Sequence, residues 1–220
     1  MMMNILINGV QAVLFDLDGV IVDSEPLHVK ALDLTCRHFG FELLPEDIVR
    51  FKGVTERQAA RYFFNGSEQP ASKIEEFIAF KSRLYTKSIV QELELIEGAV
   101  DFINFCRASG WRIGLTTSAL PENVERVLQK FQLATCFEAI VSGGEVTHSK
   151  PHPEPYLKTA KKLNIEPQHC LVIEDSINGV GSGKSAGCRV IGITTTFAAD
   201  ELHAAGADLV VNSFADIRLS

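Results

Sequence analysis

Short apolar runs that end in small or polar residues recur along the chain and predict a set of buried strands. The six runs extend from Ala12 to Phe15, Arg112 to Thr117, Glu138 to Val141, Cys170 to Ile173, Cys188 to Ile193 and Asp208 to Val211. Nearly continuous apolar runs of this length are typical of strands that are buried on both faces, as in a parallel sheet.

Helical periodicity alternates with these runs. Two segments carry apolar side chains at or near the i, i+3, i+4, i+7 spacing of one helix face. They are the set Val124, Val127, Leu128 and Phe131 and the set Tyr156, Leu157, Ala160 and Leu163. The alternation predicts an α/β fold with a doubly wound, Rossmann-like and mostly parallel sheet.

One stretch interrupts this rhythm. Between about residues 26 and 90 there is no strand pattern, and helical spacing dominates. The first two predicted strands are therefore about ninety residues apart, which is too long for a simple crossover. We expect a helical domain of residues 26–91, inserted into an α/β core of residues 1–25 and 92–220.

Composition and charge exclude several classes of protein. Of the 220 residues, 46% are apolar and 22% charged, and the net charge of −7 disfavours non-specific binding to nucleic acid or anionic membranes. No segment approaches the ~20 apolar residues of a membrane span. A signal peptide is not expected, because no cation precedes Lys30. Five widely spaced cysteines are typical of free thiols. We expect a cytoplasmic protein with no nucleic-acid or membrane partner.

Paired acids follow two of the predicted strands. Asp16 and Asp18 follow the first, and side chains two residues apart on an extended chain point the same way. Glu174 and Asp175 follow the fourth. Ligands of open α/β sheets bind beyond the carboxyl ends of the strands, so we expect these acids to share Mg²⁺, which prefers oxygen ligands. The alternative for the first pair is an exposed Asp-x-Asp-Gly turn. The end of a buried strand, however, rarely carries acidic residues that have no function, which disfavours this alternative.

Two further polar features follow this pattern. Thr117 and Ser118 end the second predicted strand, where hydroxyls and amides can hold a phosphate at a helix start; the alternative is that Ser118 caps the helix. Lys150 lies between Ser149 and Pro151 in a proline-rich loop that could hold its ammonium inward, and the alternative is a solvated surface charge.

Taken in order, these motifs resemble those of the haloacid dehalogenase-like hydrolase superfamily, within it the β-phosphoglucomutase-like group. The motifs are Asp16-Leu17-Asp18-Gly19-Val20, Leu115-Thr116-Thr117-Ser118, Lys150-Pro151-His152-Pro153 and Ile173-Glu174-Asp175-Ser176. The resemblance covers essentially the whole chain. It implies that the inserted helical domain is that superfamily's cap, which selects the substrate.

The resemblance also implies catalytic roles. Asp16 would attack phosphorus to form an aspartyl-phosphate, and Asp18 would act as general acid and base. Lys150 would neutralise charge on Asp16 and on the phosphate. Mg²⁺ would be held by Asp16, the backbone carbonyl of Asp18 and Asp175, with Glu174 bound directly or through water.

Substrate contacts are implied in the same way. Thr117 would hold phosphate oxygens, and the other implied substrate-binding residues are Gly19, His28, Lys52, Gly53, Arg57, Lys81, Ser118 and Ala119. The chain departs from the mutase pattern at Glu56, where that pattern has an arginine for the distal phosphate. Arg57 is one step later, but one step on a helix is ~100° of rotation. A mutase must hold a bisphosphate at both ends, whereas a phosphatase need not.

We therefore expect a phosphatase that hydrolyses small phosphorylated metabolites, either sugar or polyol phosphates, and acts as a monomer or weak homodimer. A β-phosphoglucomutase that interconverts β-glucose 1-phosphate and glucose 6-phosphate is the alternative. A binding protein that has lost turnover is disfavoured, because the catalytic acids and Lys150 are all present.

The resemblance implies no role for two histidines that are close in sequence. His148 and His152 share the i, i+4 spacing that binds a transition metal on a helix. Pro151 and Pro153 make a regular helix improbable there, so the spacing alone does not predict a metal site.

Overall fold

The structure, a computed structural model, describes residues 8–51, 56–64 and 71–217, without the side chains of residue 49 and residues 88–91. The chain forms two compact units. The α/β unit comprises residues 1–23 and 94–220, and the helical unit comprises residues 24–93. Within the described ranges, no helix has both the length and the apolar character needed to cross a bilayer.

The α/β unit is built on a six-stranded sheet in which every pairing is parallel. The structure describes eight strands, six in this sheet and two outside it. They are β1 (Ala12–Phe15), β2 (Val22–Asp23), β3 (Glu94–Leu95), β4 (Arg112–Thr116), β5 (Ala139–Val141), β6 (Cys170–Glu174), β7 (Arg189–Ile193) and β8 (Leu209–Val211). The sheet order is β5-β4-β1-β6-β7-β8, and β2 and β3 form a separate antiparallel pair. The predicted doubly wound fold is confirmed, and the predicted strand ends are correct to within one residue.

Nine α-helices are described in the two units. They are α1 (Glu25–His38), α2 (Pro45–Phe51), α3 (Glu56–Phe63), α4 (Ala71–Glu92), α5 (Ala99–Ala108), α6 (Pro121–Lys130), α7 (Glu154–Lys162), α8 (Ile177–Ser185) and α9 (Ala199–Ala204). The first four belong to the helical unit and the other five to the α/β unit. The regular elements described between residues 25 and 92 are all helices, which agrees with the absence of a strand pattern there.

The strand order explains where a site can form. β1 lies between β4 and β6, and all four of its residues are fully buried. The chain passes from β4 to the outer strand β5 on one side and from β6 to β7 and β8 on the other, so the direction of the strand order reverses at β1. Ligands of doubly wound sheets bind at such a reversal, beyond the carboxyl ends of the strands.

Helix α7 corrects one detail of the predicted periodicity. Its buried face carries Tyr156, Thr159 and Ala160, and Leu163 just beyond its end is also buried. Leu157, predicted on the same face, is instead 40% exposed. It is one residue, and therefore ~100° of rotation, away from the buried Tyr156.

The helical unit has its own core. Leu32 and Cys36 of α1 pack with Ala60 and Phe63 of α3 and with Phe77 of α4. Because these side chains come from three helices, burying them holds the helices together without a sheet.

Candidate active site

The site lies at the carboxyl ends of β1, β4 and β6. Phe15 in β1 is in register with Leu115 in β4 and with Ile173 in β6, so the residues that follow reach the same edge of the sheet. Asp16 and Asp175 follow their strands at this edge, and Glu174 ends β6. Carboxylate oxygens of these three acids lie within 4.8 Å of one another.

Lys150 connects the acids by direct contacts. Its Nζ donates hydrogen bonds to Asp16 Oδ1 at 2.7 Å, to Glu174 Oε1 at 2.6 Å and to the Thr116 carbonyl at 3.0 Å. The Lys150 side chain is only 7% exposed, which rules out a solvated surface charge. Burial by itself lowers the pKa of Lys150, but the charges and hydrogen bonds of Asp16 and Glu174 outweigh it and raise the pKa above its usual value.

Glu174 is held by hydrogen bonds on both oxygens. Oε1 accepts from Lys150 and from the Tyr156 hydroxyl at 2.8 Å. Oε2 accepts from the Asp175 amide at 3.1 Å, the Ser176 amide at 3.2 Å and the Ser176 hydroxyl at 3.0 Å. A Cβ at Gly179 would lie 1.8 Å from Oε1, so glycine is required beside this carboxylate. Glu174 is therefore fixed in one position.

Tyr156 is a site residue that sequence reasoning missed. It lies on the predicted helix face and is completely buried, and its Oη lies in the site. The sequence does carry one signal, because a tyrosine on a buried helix face needs a hydrogen-bond partner that phenylalanine would not need. Nothing in the sequence identifies that partner as Glu174.

Burial and neighbouring acids raise the pKa of two carboxyl groups in the site, Asp16 and Asp175. Burial raises the pKa of Asp16 to about 7, with Glu174 and Asp18 adding to the effect and Lys150 opposing it. Burial, Glu174 and Asp16 likewise raise the pKa of Asp175 well above its usual value. With all three carboxylates ionised, the single ammonium leaves an excess of two negative charges. This set of hard oxygen donors fits a divalent cation.

Gly19 makes room for Asp175. Its φ of +73° is in the left-handed region, and a Cβ there would lie 1.9 Å from Asp175 Oδ2. The Gly19 amide donates to the Val22 carbonyl at 2.8 Å, and its carbonyl accepts from the Thr195 hydroxyl. Both backbone groups therefore have partners within the protein. The predicted contact of Gly19 with substrate stays a prediction, as does the acid–base role of the half-buried Asp18.

Thr117 begins a tight turn after β4. Its amide donates to the Val141 carbonyl at 2.9 Å, and its Oγ1 accepts from the Ala119 amide at 3.0 Å. The N-cap of α6 is Leu120, so Ser118 does not cap this helix, and the Ser118 side chain is exposed. The predicted phosphate contacts of Thr117, Ser118 and Ala119 stay predictions.

Comparison with known proteins identifies the family. The family model described as haloacid dehalogenase-like hydrolase matches residues 13–193. The chain belongs to the haloacid dehalogenase-like hydrolase family. This confirms the family suggested by the four motifs, and members of this family are enzymes that generally use a divalent metal ion.

Three similar proteins illustrate the range of this hydrolase's relatives. Hexitol phosphatase B of Escherichia coli K12 is 30% identical, over 94% of this chain and 93% of that protein. A family IA, variant 3 hydrolase from Entamoeba histolytica has a TM-score of 0.86 at 28% identity, over 95% of this chain and 96% of that one. A β-phosphoglucomutase from Clostridium difficile has a TM-score of 0.80 at 25% identity, over 96% and 94%.

The predicted cap residues of the hydrolase lie in the helical unit, where the structure describes three of the five. His28 stacks on Tyr85 with ring centroids 4.0 Å apart. Lys81 is buried and pairs with Glu56 at 2.6 Å, and the two line a cavity together with His28. Arg57 makes an ion pair at 2.5 Å on the surface of this unit. The predicted contacts of residues 52 and 53 lie outside the described residues.

Proposed function

We propose that this hydrolase is a magnesium-dependent phosphatase for small phosphorylated metabolites, such as sugar or polyol phosphates. The observation that carries the proposal is the set of contacts around Asp16. This carboxylate is buried at the reversal of the strand order, 2.7 Å from the Lys150 ammonium and beside Asp175. The likeness to hexitol phosphatase B supports the substrate class.

Asp16 acts in this proposal as the nucleophile that forms an aspartyl-phosphate. A nucleophilic carboxylate must be ionised, and burial opposes ionisation by raising the pKa of Asp16. Lys150 counters this effect through its direct hydrogen bond and its charge. Asp18 protonates the leaving oxygen in the first step and activates the hydrolytic water in the second.

Asp16, the backbone carbonyl of Asp18 and Asp175 would hold the Mg²⁺ ion. When bound, the ion supplies positive charge that stabilises the ionised Asp16 and the transferring phosphoryl group. Glu174 would contact it through water, because both oxygens of Glu174 already accept hydrogen bonds from within the protein. Glu174 then serves mainly to position Lys150.

Charge pairing in the helical unit supports a phosphatase over a mutase. A mutase needs cations for a second phosphate. Glu56 neutralises Lys81 at 2.6 Å, and Glu75 neutralises Arg57 at 2.5 Å. Lys81 and Arg57, two of the described cap residues that are predicted to bind substrate, are therefore each already paired with an acid. Binding a second phosphate would require breaking one of these pairs.

The test is phosphate release from a panel of sugar and polyol phosphates, with and without Mg²⁺. We expect turnover that EDTA abolishes, that Asp16→Asn abolishes, and that the control Asp101→Asn, an exposed acid on α5, leaves intact. Unchanged turnover in Asp16→Asn, or full turnover of the unsubstituted enzyme in EDTA, would refute the proposal. Fast formation of glucose 6-phosphate from β-glucose 1-phosphate and catalytic glucose 1,6-bisphosphate would favour the mutase instead.

The proposed setting of this enzyme is the cytoplasm, as a monomer or weak homodimer with no nucleic-acid or membrane partner. The net charge of −7 supports the absence of polyanionic partners. All five cysteines are free thiols, which supports a reducing compartment.

A further inference from the structure

His148, His152 and Glu154 form a cluster on the surface of the α/β unit, outside the acidic site. Residues 146–153, which contain both histidines and lead into α7, are not helical, as the prolines predicted. Nevertheless the centroids of the two imidazole rings lie 4.5 Å apart, and one ligand atom from each of the three residues lies within 4.8 Å of the others. The conformation of this loop therefore places the two histidines side by side, although the i, i+4 spacing implies such proximity only on a helix.

The distances within the cluster suit a chelated ion. His148 Nδ1 lies 3.1 Å from Glu154 Oε2. An ion about 2.1 Å from a nitrogen and from an oxygen, the usual zinc distances, spans about 3 Å between them at an angle near 95°. A metal ion bound to His148 Nδ1 and Glu154 Oε2 can thus replace the hydrogen bond between these two atoms. His152 Nδ1, which accepts a long 3.2 Å hydrogen bond from the Glu154 amide, can exchange that bond for the ion.

Surrounding contacts hold the cluster in place. Glu154 Oε1 accepts from the Thr147 amide at 2.9 Å and pairs with Lys158 at 2.7 Å, while Oε2 accepts from the His148 amide at 3.0 Å. The His152 amide donates to the Ser149 carbonyl at 3.0 Å. Binding would therefore need side-chain rotation more than a rearranged backbone, which lowers its entropic cost.

We propose that His148, His152 and Glu154 bind one borderline divalent transition-metal ion of the zinc and copper class. Two imidazole nitrogens and one carboxylate are the ligands that such ions prefer over Mg²⁺. The three buried acids of the active site offer only oxygen and suit the opposite class. The two sites are therefore separable by the chemistry of the ion.

Cu²⁺ is the best probe because it binds nitrogen ligands most tightly among these ions. The full chain is titrated with Cu²⁺ in excess Mg²⁺, which occupies the oxygen site. Affinity is measured by chelator competition, and the ligands are identified by electron paramagnetic resonance. We expect one ion with nitrogen hyperfine coupling, lost in His148→Ala and in His152→Ala. Each substitution should weaken binding by more than about tenfold, a loss seen even for outer-shell partners.

His203→Ala is the matched control, since His203 is an exposed histidine on α9. It should leave both the affinity and the nitrogen coupling unchanged. The His148 side chain is 62% exposed, so its removal should not unfold the protein, and circular dichroism checks this. The proposal is overturned if the two loop variants bind Cu²⁺ as the unsubstituted protein does, or if the control loses binding equally.

Discussion

Replacing Gly19 by alanine tests the packing that holds Asp175 in place. The residue has a φ of +73°, which costs an L-residue with a side chain about 1–2 kcal/mol. The new Cβ would also lie 1.9 Å from Asp175 Oδ2 and 2.8 Å from Thr196 Oγ1. Both distances are too short for non-bonded atoms, so Asp175 must move. We therefore expect a loss of stability and also a loss of divalent-ion affinity.

Gly110→Ala separates these two effects. Gly110 has a nearly equal φ of +79°, but a Cβ there meets no atom within 4 Å. Urea unfolding and Mg²⁺ titration are compared for the two variants. Gly110→Ala should lose about 1 kcal/mol, since the backbone cost is partly offset in the unfolded state, and should keep its Mg²⁺ affinity. Gly19→Ala should lose more stability and bind Mg²⁺ at least about tenfold more weakly, the loss associated with a disturbed ligand shell. Equal Mg²⁺ affinity in both variants would refute this account of Gly19.

Three further predictions concern the groups around Asp16. Tyr156→Phe removes one hydrogen bond to the Glu174 carboxylate, so the free energy of unfolding should fall by about 1.5–3 kcal/mol. The kcat of this variant should also fall, with little change in KM. An unchanged kcat would contradict a positioning role for Tyr156. Lys150→Met should lower kcat/KM by about 10²–10³, as for loss of one charge-stabilising donor, and activity near that of the unsubstituted enzyme would contradict its role. Burial raises the pKa of Asp16 from 3.8 to about 7, so the folded, metal-free protein holds this proton more tightly than the unfolded chain. This contribution to stability is complete below about pH 4 and is lost as the pH rises through 7, by at most about 4 kcal/mol. Between pH 5 and pH 8 in EDTA, urea unfolding should show a loss about 2–3 kcal/mol larger in the unsubstituted protein than in Asp16→Asn, because the raised pKa of Asp175 adds its own loss in both proteins.

Much of the fold could be predicted from the chain because its sheet is buried on both faces. Such strands give unbroken apolar runs, and the ends of the six predicted runs differ from the observed strands by at most one residue. The antiparallel pair Val22–Asp23 and Glu94–Leu95 was not predicted. Two residues are too few to produce a period, and this pairing depends on where the chain leaves and re-enters the sheet.

The site was predictable as far as strand ends determine it. Asp16 and Glu174 follow or end strands that are neighbours in the sheet, so a topological rule brings them together. What the sequence could not supply is side-chain direction. The hydrogen bond from Tyr156 to Glu174, and the close approach of the His148 and His152 rings, depend on how α7 and the preceding loop pack.

The most direct test of the central claim is detection of a phosphoryl group on Asp16. The enzyme is mixed with p-nitrophenyl phosphate and Mg²⁺, quenched in acid and analysed by intact and peptide mass spectrometry. The good leaving group makes the first step independent of Asp18, so Asp18→Asn should accumulate the phosphoenzyme because its hydrolysis lacks a general base. We predict one phosphoryl group on the Asp16 peptide, removed by hydroxylamine and absent in Asp16→Asn. Turnover without any phosphorylated protein in Asp18→Asn, or a phosphoryl group on another residue, would contradict the account.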